Sequence, residues 1–268
     1  MPKLGNAFSI LRDRGPVGLA KETVEWAARS CGVGVSFGSY RPIGIGAAAS
    51  VRVHDNVFER IYEENLWNSN ESTSGPGSEL FYTAGYRQEL ISFLREEKVT
   101  SFFDAPCGDL NWVGEVIDST GIEYIGGDIS PTAVEQAKRR RPELDVRVFD
   151  ICADQFPKAD IWHCRDCLFH LSFADIRRAL EHFVESDIEY ALITTNKALY
   201  LRNLDIETGG CRYLDLERSP VKLPSPVRYL KDFTKGTHFP RYVGVWNRSQ
   251  IATTLQASYW GSTAARMG

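Results

Sequence analysis

The chain has 268 residues, 43% apolar and 25% charged, with a formal net charge of -4. This is enough apolar material for one globular domain with an appendage. The negative balance excludes a global electrostatic pull toward nucleic acid or an anionic membrane. No apolar run approaches the ~20 residues of a membrane span. The N-terminus lacks the apolar core of a secretory signal, so a cytoplasmic location is expected.

In chain order, "VGLAKETVEWAARSCG" (17–32) has helical spacing and ends on glycine. "VGVSFGSYRPIGIGAAAS" (33–50) is loose in composition, so residues 1–54 read as an N-terminal extension with a helical segment. "VFERIYEENLW" (57–67) places Phe58, Ile61, Tyr62 and Leu66 on one side and predicts a helix. "NSNESTSGPGSE" (68–79) is a polar loop that suits either a plain connector or closure over a ligand. "LFYTAGYRQELISFLREEK" (80–98) returns to helical spacing.

From residue 100 the chain alternates. Strands are expected at 100–105, 122–128, 144–150, 159–164 and 188–195, with helices between most of them. Ser130 and Pro131 form an N-cap and first-turn pair. The dense basic run "KRRRPE" (138–143) ends that helix, where cations complement its dipole. After 196 the alternation stops, and "RYVGVW" (241–246) reads as a late strand at an antiparallel edge. The fold class expected is α/β: a Rossmann-like, doubly wound, mostly parallel seven-stranded sheet with one antiparallel edge strand.

Six cysteines stand at 31, 107, 152, 164, 167 and 211. Only Cys164 and Cys167 are closely spaced, and a zinc site would want a second close pair. Buried, reduced thiols are therefore expected, with a redox dithiol at the CxxC as the alternative.

In doubly wound sheets the ligand lies outside the carboxyl ends of the strands. Three consecutive predicted strands end in Asp104, Asp128 and Asp150. The first opens into "DAPCGDLNW", where Gly108 permits close backbone approach while Asp104 and Asp109 would repel a pyrophosphate. Acids there suit a cationic group instead. Asp128, about 20 residues beyond the glycine turn, can accept from ribose hydroxyls, and Asp150 can accept from an adenine amino group. A ribose, an adenine and a cationic amino acid describe S-adenosyl-L-methionine. The missing GxGxxG argues against NAD and a dehydrogenase.

With those motifs, "YIGGDIS" and "VFDICADQFPKADIWHCRDCLFHLS", the chain resembles the class I S-adenosylmethionine-dependent methyltransferases over roughly residues 80–200. The first motif departs from the common form at Pro106 and Cys107, where a glycine often stands. "NLWNSNESTSGPGSEL", "CRDCLFHLSFADIR" and "NLDIETGGCRYLDLERSPVKLPSPVRYL" are similar to a bacterial subfamily, some of whose members resemble enzymes of polysaccharide tailoring. The resemblance implies that Asp104, Ala105 and Gly108 contact the methionine part. It implies that Asp128 and Ile129 take the ribose and flank the adenine, that Asp150 and Ile151 hold the adenine edge, and that Cys164 and Arg165 lie under the cofactor. The loop from Trp67 to Ser78 would close the site, with Arg87 pairing the cofactor carboxylate.

A hydroxyl acceptor needs its proton removed. His170 stands four residues after Asp166 and is the candidate base, oriented or assisted by Asp166. The plainer reading is a packed His170 and a helix-capping Asp166. His163 reads as core, and His238 has no informative spacing. Asp166 and Asp205 are the only acids suggesting a metal, so none is expected. Arg202, Arg212 and Tyr213 are candidates for gripping a polar or anionic acceptor, unless the segment 203–216 merely covers the sheet. The domain reading is then 1–54 extension and 55–268 methyltransferase domain. The latter divides into a helical lid (55–98), cofactor core (99–200), acceptor-side insertion (201–240) and last strand with tail (241–268). O-methylation of a small molecule or glycan is expected, against N-methylation or a non-catalytic S-adenosylmethionine binder. A homodimer is allowed.

Overall fold

The computed structural model describes residues 56–199, 201–232 and 240–257, with four isolated positions before them. Of the helix expected over 17–32, only Ala20, Thr23, Val24 and Ala27 are described, all helical. The segment 33–50, the boundary at 54 and His238 lie outside the described residues.

Seven strands form one sheet in the order β3-β2-β1-β4-β5-β7-β6. They are β1 (Ser101–Asp104), β2 (Glu123–Asp128), β3 (Asp145–Val148), β4 (Ile161–Cys164), β5 (Tyr190–Asn196), β6 (Arg228–Lys231) and β7 (Arg241–Asn247). The first five pair in parallel. β7 runs antiparallel to both β5 and β6, so it alone opposes the other strands. This is the doubly wound sheet expected, with one change of placement. β7 is antiparallel but lies one position in from the edge, because the short β6 covers it. β6 falls in a Pro-broken stretch with too little alternation to be read as a strand.

The helices are α1 (Val57–Glu63), α2 (Leu80–Glu96), α3 (Gly114–Thr120), α4 (Pro131–Arg140), α5 (Phe173–Glu185) and α6 (Arg248–Gln256). α1 ends four residues before the predicted boundary, because Asn65 and Asn68 take left-handed backbone at φ 48° and 54°. α3 begins only at Gly114, because Leu110 at φ 56° breaks the chain just after the glycine turn. Ser130 caps α4 by accepting from the Ala133 amide, and Ser172 caps α5 by accepting from the Asp175 amide. α6 was not read from the sequence, although Asn247 and Gln250 form a full capping box at its start.

The alternation of β1 divides the core. Phe103 joins Trp162, Phe183 and Trp246 on one face of the sheet. Phe102 joins Tyr86, Leu90 and Val243 on the other. All are essentially inaccessible, and each large apolar side chain so buried is worth ~1.5–3 kcal/mol. This burial on both faces holds the carboxyl ends of β1, β2 and β4 at fixed spacing. The strand order reverses between β1 and β4, and a ligand crevice is expected there.

Candidate active site

A cavity of about 710 Å3, mouth included, opens at that crevice. Asp104 and Gly108 line it from the end of β1, Asp128 and Ile129 from β2, and Arg165, Asp166 and His170 from beyond β4. Trp67, Ser74 and Ser78 line it from the serine-rich loop.

Asp104 is buried, and both its oxygens are engaged. Oδ1 pairs with Nδ1 of His163 at 2.6 Å, and Oδ2 accepts from the Tyr124 hydroxyl at 2.8 Å. His163 Nε2 in turn shares a 2.9 Å hydrogen bond with the Tyr86 hydroxyl. His163 is fully buried, as a core strand residue should be, but it also fixes Asp104 and reaches the cavity wall.

Asp128 accepts from the Gly108 amide at 3.0 Å and the Ser130 amide at 2.9 Å. Burial nevertheless pushes its pKa up to about 6. Gly108 itself takes φ 58°, and a Cβ there would stand 2.3 Å from Ser74 Oγ, so only glycine fits. The loop is thus packed onto the turn. Ser72 and Ser74 both donate to Asp109 Oδ1, at 2.9 and 3.0 Å, and the Asp109 amide donates back to Ser74 Oγ at 3.0 Å. Asp109 therefore serves the loop.

Beyond β4 lies an ion network. Arg165 makes a bidentate pair with Asp232 at 2.8 and 3.0 Å and donates to the Gly77 carbonyl at 3.0 Å. Arg241 bridges Asp166 at 2.9 Å and Asp232 at 3.2 Å. Burial works to raise the Asp166 pKa, but Arg165 and Arg241 hold its carboxyl below the usual range. Asp232 and Arg241 were missed in the sequence: Asp232 falls in an irregular stretch, and the strand pattern of 241–246 does not mark its first charge as paired inward.

His170 ends a short 3-10 turn, Leu168–His170. Its Nδ1 donates to the Gly210 carbonyl at 2.7 Å. Burial pushes its pKa below the usual value, against the opposing pull of that hydrogen bond. A neutral imidazole with Nδ1–H committed carries its lone pair on Nε2. Gly210, and not Asp166, orients the ring, since Asp166 is taken up by the arginines. The Trp67 ring packs beside it with centroids 5.6 Å apart.

No family model matches the chain, and no curated protein matches it in sequence. Solved structures do match in fold. Human N-acetylserotonin methyltransferase, in complex with S-adenosylmethionine, aligns with a TM-score of 0.54 at 12% identity over 89% of this chain and 69% of its own. The methyltransferase domain of bacterial CtHen1 aligns at 0.48, with 16% identity over 62% and 98%. Magnesium protoporphyrin IX methyltransferase from Synechocystis aligns at 0.45, with 14% identity over 61% and 80%. This chain has the methyltransferase fold.

On that fold the remaining expected site residues are placed as follows. Ala105 and Cys164 are fully buried beside the cavity floor, outside its lining. Asp150 and Ile151 also lie outside the lining, and Asp150 accepts from the Cys152 amide at 2.8 Å. Arg87 faces away from the cavity, pairing with Glu115 at 2.6 Å and donating to the Leu80 carbonyl at 2.9 Å. Helical spacing alone did not reveal that Glu115 of α3 competes for it. Arg202 is exposed, and Tyr213 packs on Ala198 and Leu201. Arg212 is buried behind the His170 turn. Its amide donates to the Phe169 carbonyl at 3.2 Å, and Nη1 donates to the Leu171 carbonyl at 2.7 Å. The structure therefore does not bring the three acceptor candidates to the cavity. Phe58, Tyr62 and Trp112 line it instead. Their apolar spacing looked like ordinary core, so sequence gave no separate signal for them. Among the described residues no group of three or more His, Cys, Asp or Glu forms a metal cage. No described helix is long and apolar enough to cross a membrane.

Proposed function

We propose that this chain is an S-adenosylmethionine-dependent methyltransferase that methylates a hydroxyl of a small molecule or sugar, with His170 as the proton acceptor. The observation that carries the reading is the His170 geometry: a half-buried neutral imidazole, its Nδ1–H fixed on Gly210, its ring on the wall of a cavity shared with Asp128 and Gly108.

The donor set fits the cofactor. Asp128 offers a carboxylate to ribose hydroxyls, the Gly108 turn lines the cavity beside it, and Ile129 and Phe58 offer apolar faces to an adenine. With Asp166 and Asp109 already paired to Arg241 and Arg140, Asp104 and Asp128 remain as carboxyls of the lining without an arginine partner among the described residues, and that balance favours a sulfonium over an anion. When bound, the cofactor supplies an electrophilic methyl group. The protein's part is to hold the acceptor hydroxyl in line, exclude water under the serine loop, and take the proton on His170 Nε2.

Calorimetry with S-adenosylhomocysteine tests the cofactor, and transfer of labelled methyl from S-adenosylmethionine tests the reaction. Absence of S-adenosylhomocysteine binding overturns the reading. A nitrogen acceptor whose methylation survives His170→Gln unchanged overturns the choice of oxygen.

A further inference from the structure

Trp67 presents an anomaly at the wall of this cavity. Its indole Nε1 is buried and has no hydrogen-bond partner. An unpaired buried donor is costly, and such groups in a folded protein call for an explanation. The ring is flanked on several sides. Tyr62 packs on it edge-on at 5.4 Å, and a Cβ on Gly75 would stand 3.0 Å from Trp67 Cβ. On another side lies the His170 ring, 5.6 Å away between centroids.

The two rings therefore offer opposite chemistry side by side. His170 Nε2 is an acceptor, and Trp67 Nε1 is a donor. We propose that Trp67 is the specificity-determining partner of His170, and that the acceptor is an uncharged molecule with oxygens on adjacent carbons. One hydroxyl gives its proton to His170, while the neighbouring oxygen accepts from the Trp67 N–H. The ring centroids stand 5.6 Å apart, so one small unit with oxygens on neighbouring carbons matches the scale of the pair.

Charge selects the neutral class. The cavity lining carries four aspartates against Arg165, and Arg165 is already paired with Asp232. A carboxylate or phosphate on the acceptor would face Asp104 and Asp128, which have no arginine partner among the described residues, and would find no free cation in the lining, since Arg165 and Arg241 are committed to Asp232 and Asp166. Arg212, the cation that a charged acceptor would want, is outside the lining. The aromatic walls Tyr62 and Trp67 suit the apolar face of a ring instead.

This inference rests on the methyltransferase reading, and the test separates the two. The probes are cyclohexanol, trans-cyclohexane-1,2-diol, 2-hydroxycyclohexanecarboxylate, methyl glucoside and methyl glucuronide, each added to the full chain with S-adenosylhomocysteine present. The readout is the Trp67 indole N–H resonance, assigned by its loss in Trp67→Phe. The diol and methyl glucoside should shift it downfield and saturably, whereas cyclohexanol and the two carboxylated probes should not. Trp67→Phe should weaken diol binding tenfold or more while changing S-adenosylhomocysteine affinity less than twofold. His170→Gln should leave the Trp67 shift in place. The inference is overturned if the carboxylated probes bind as well as the diol, if no neutral diol moves the signal, or if Trp67→Phe loses S-adenosylhomocysteine. Failure of the wild-type chain to bind S-adenosylhomocysteine would sink the methyltransferase reading itself.

Discussion

The Gly210 carbonyl accepts the Nδ1 proton of His170 at 2.7 Å, so a backbone group does the orienting that a carboxylate does in many acid–base pairs. A neutral acceptor cannot convert to a neutral donor, so the tautomer is fixed at every pH where the ring is uncharged. Burial lowers the pKa of the ring. The base is active when neutral, so methyl transfer should hold from neutral pH down past the ordinary histidine range. It should fall only as pH drops through the lowered value. His170→Gln should reduce turnover by ~10²–10⁴-fold with S-adenosylhomocysteine affinity unchanged. An acid limb at or above the ordinary histidine pKa would contradict this.

Asp128 titrates in the opposite sense. Its pKa is raised from 3.8 to about 6 by burial. Between those values the native state keeps a proton that the unfolded state has lost, so stability should fall as pH rises through that window. The loss sums to about 3 kcal/mol at one unit per ~1.4 kcal/mol. Ribose hydroxyls donate to the ionised form, so S-adenosylhomocysteine affinity should strengthen over the same range and level off above pH 6. Urea unfolding and calorimetry from pH 4 to 8 measure both. Affinity that does not change with pH would remove Asp128 from the ribose site.

Much of this was legible in the sequence because it is periodic. Alternating apolar runs gave five strands in order, and their last residues named Asp104, Asp128 and the His170 turn. What was not legible depends on side chains folding back from aperiodic segments. Arg241 opens β7, where strand alternation does not say which charge finds a buried partner, and Asp232 follows a strand too short to detect. Arg87 has helical spacing equally consistent with facing the cavity or Glu115, and only the packing of α2 on α3 decides it. The serine loop was visible as a ligand-closing candidate, but its anchor on Asp109 was not, since strand-end acids look alike until their partners are placed.

The Arg165, Asp232, Arg241 and Asp166 network ties the loop to the sheet. Asp232→Ala would leave a buried guanidinium without its bidentate partner. Breaking such a pair costs ~3–5 kcal/mol. Thermal unfolding should show the loss, and proteolysis within 68–79 should speed up, because the Gly77 carbonyl depends on the same guanidinium. Unchanged loop protection would mean that Asp109 and the loop's other anchors, such as Asn111 on the Ser78 carbonyl, hold it without Arg165.

Gly77 provides an independent probe of that junction. A Cβ there would stand 2.7 Å from Asp166 Oδ2, an oxygen pinned by Arg241 at 2.9 Å. Gly77→Ala must displace the carboxylate or the loop, at a cost of ~1–3 kcal/mol. Gly85, with nothing near its would-be Cβ on a helix, is the control. Gly85→Ala should stabilise by up to ~1 kcal/mol. The two substitutions should move the unfolding midpoint in opposite directions.

Arg212 joins stability to catalysis. It is 2% exposed, yet Nε and Nη2 have no partner, and burial pushes its pKa down to about 10. Only Nη1 is satisfied, by the Leu171 carbonyl, while the guanidinium lies over the Phe173 ring. Replacing a buried, poorly paired charge by an apolar side chain of similar volume is often neutral or stabilising. Arg212→Met should therefore leave the unfolding midpoint unchanged or raise it. The same charge also lowers the His170 pKa, after the larger effect of burial. Its removal makes protonation of His170 easier, so the acid limb of methyl transfer should move to higher pH. A lower unfolding midpoint would reveal acceptors for Nε and Nη2. An unmoved acid limb would show that Arg212 has no part in setting the base.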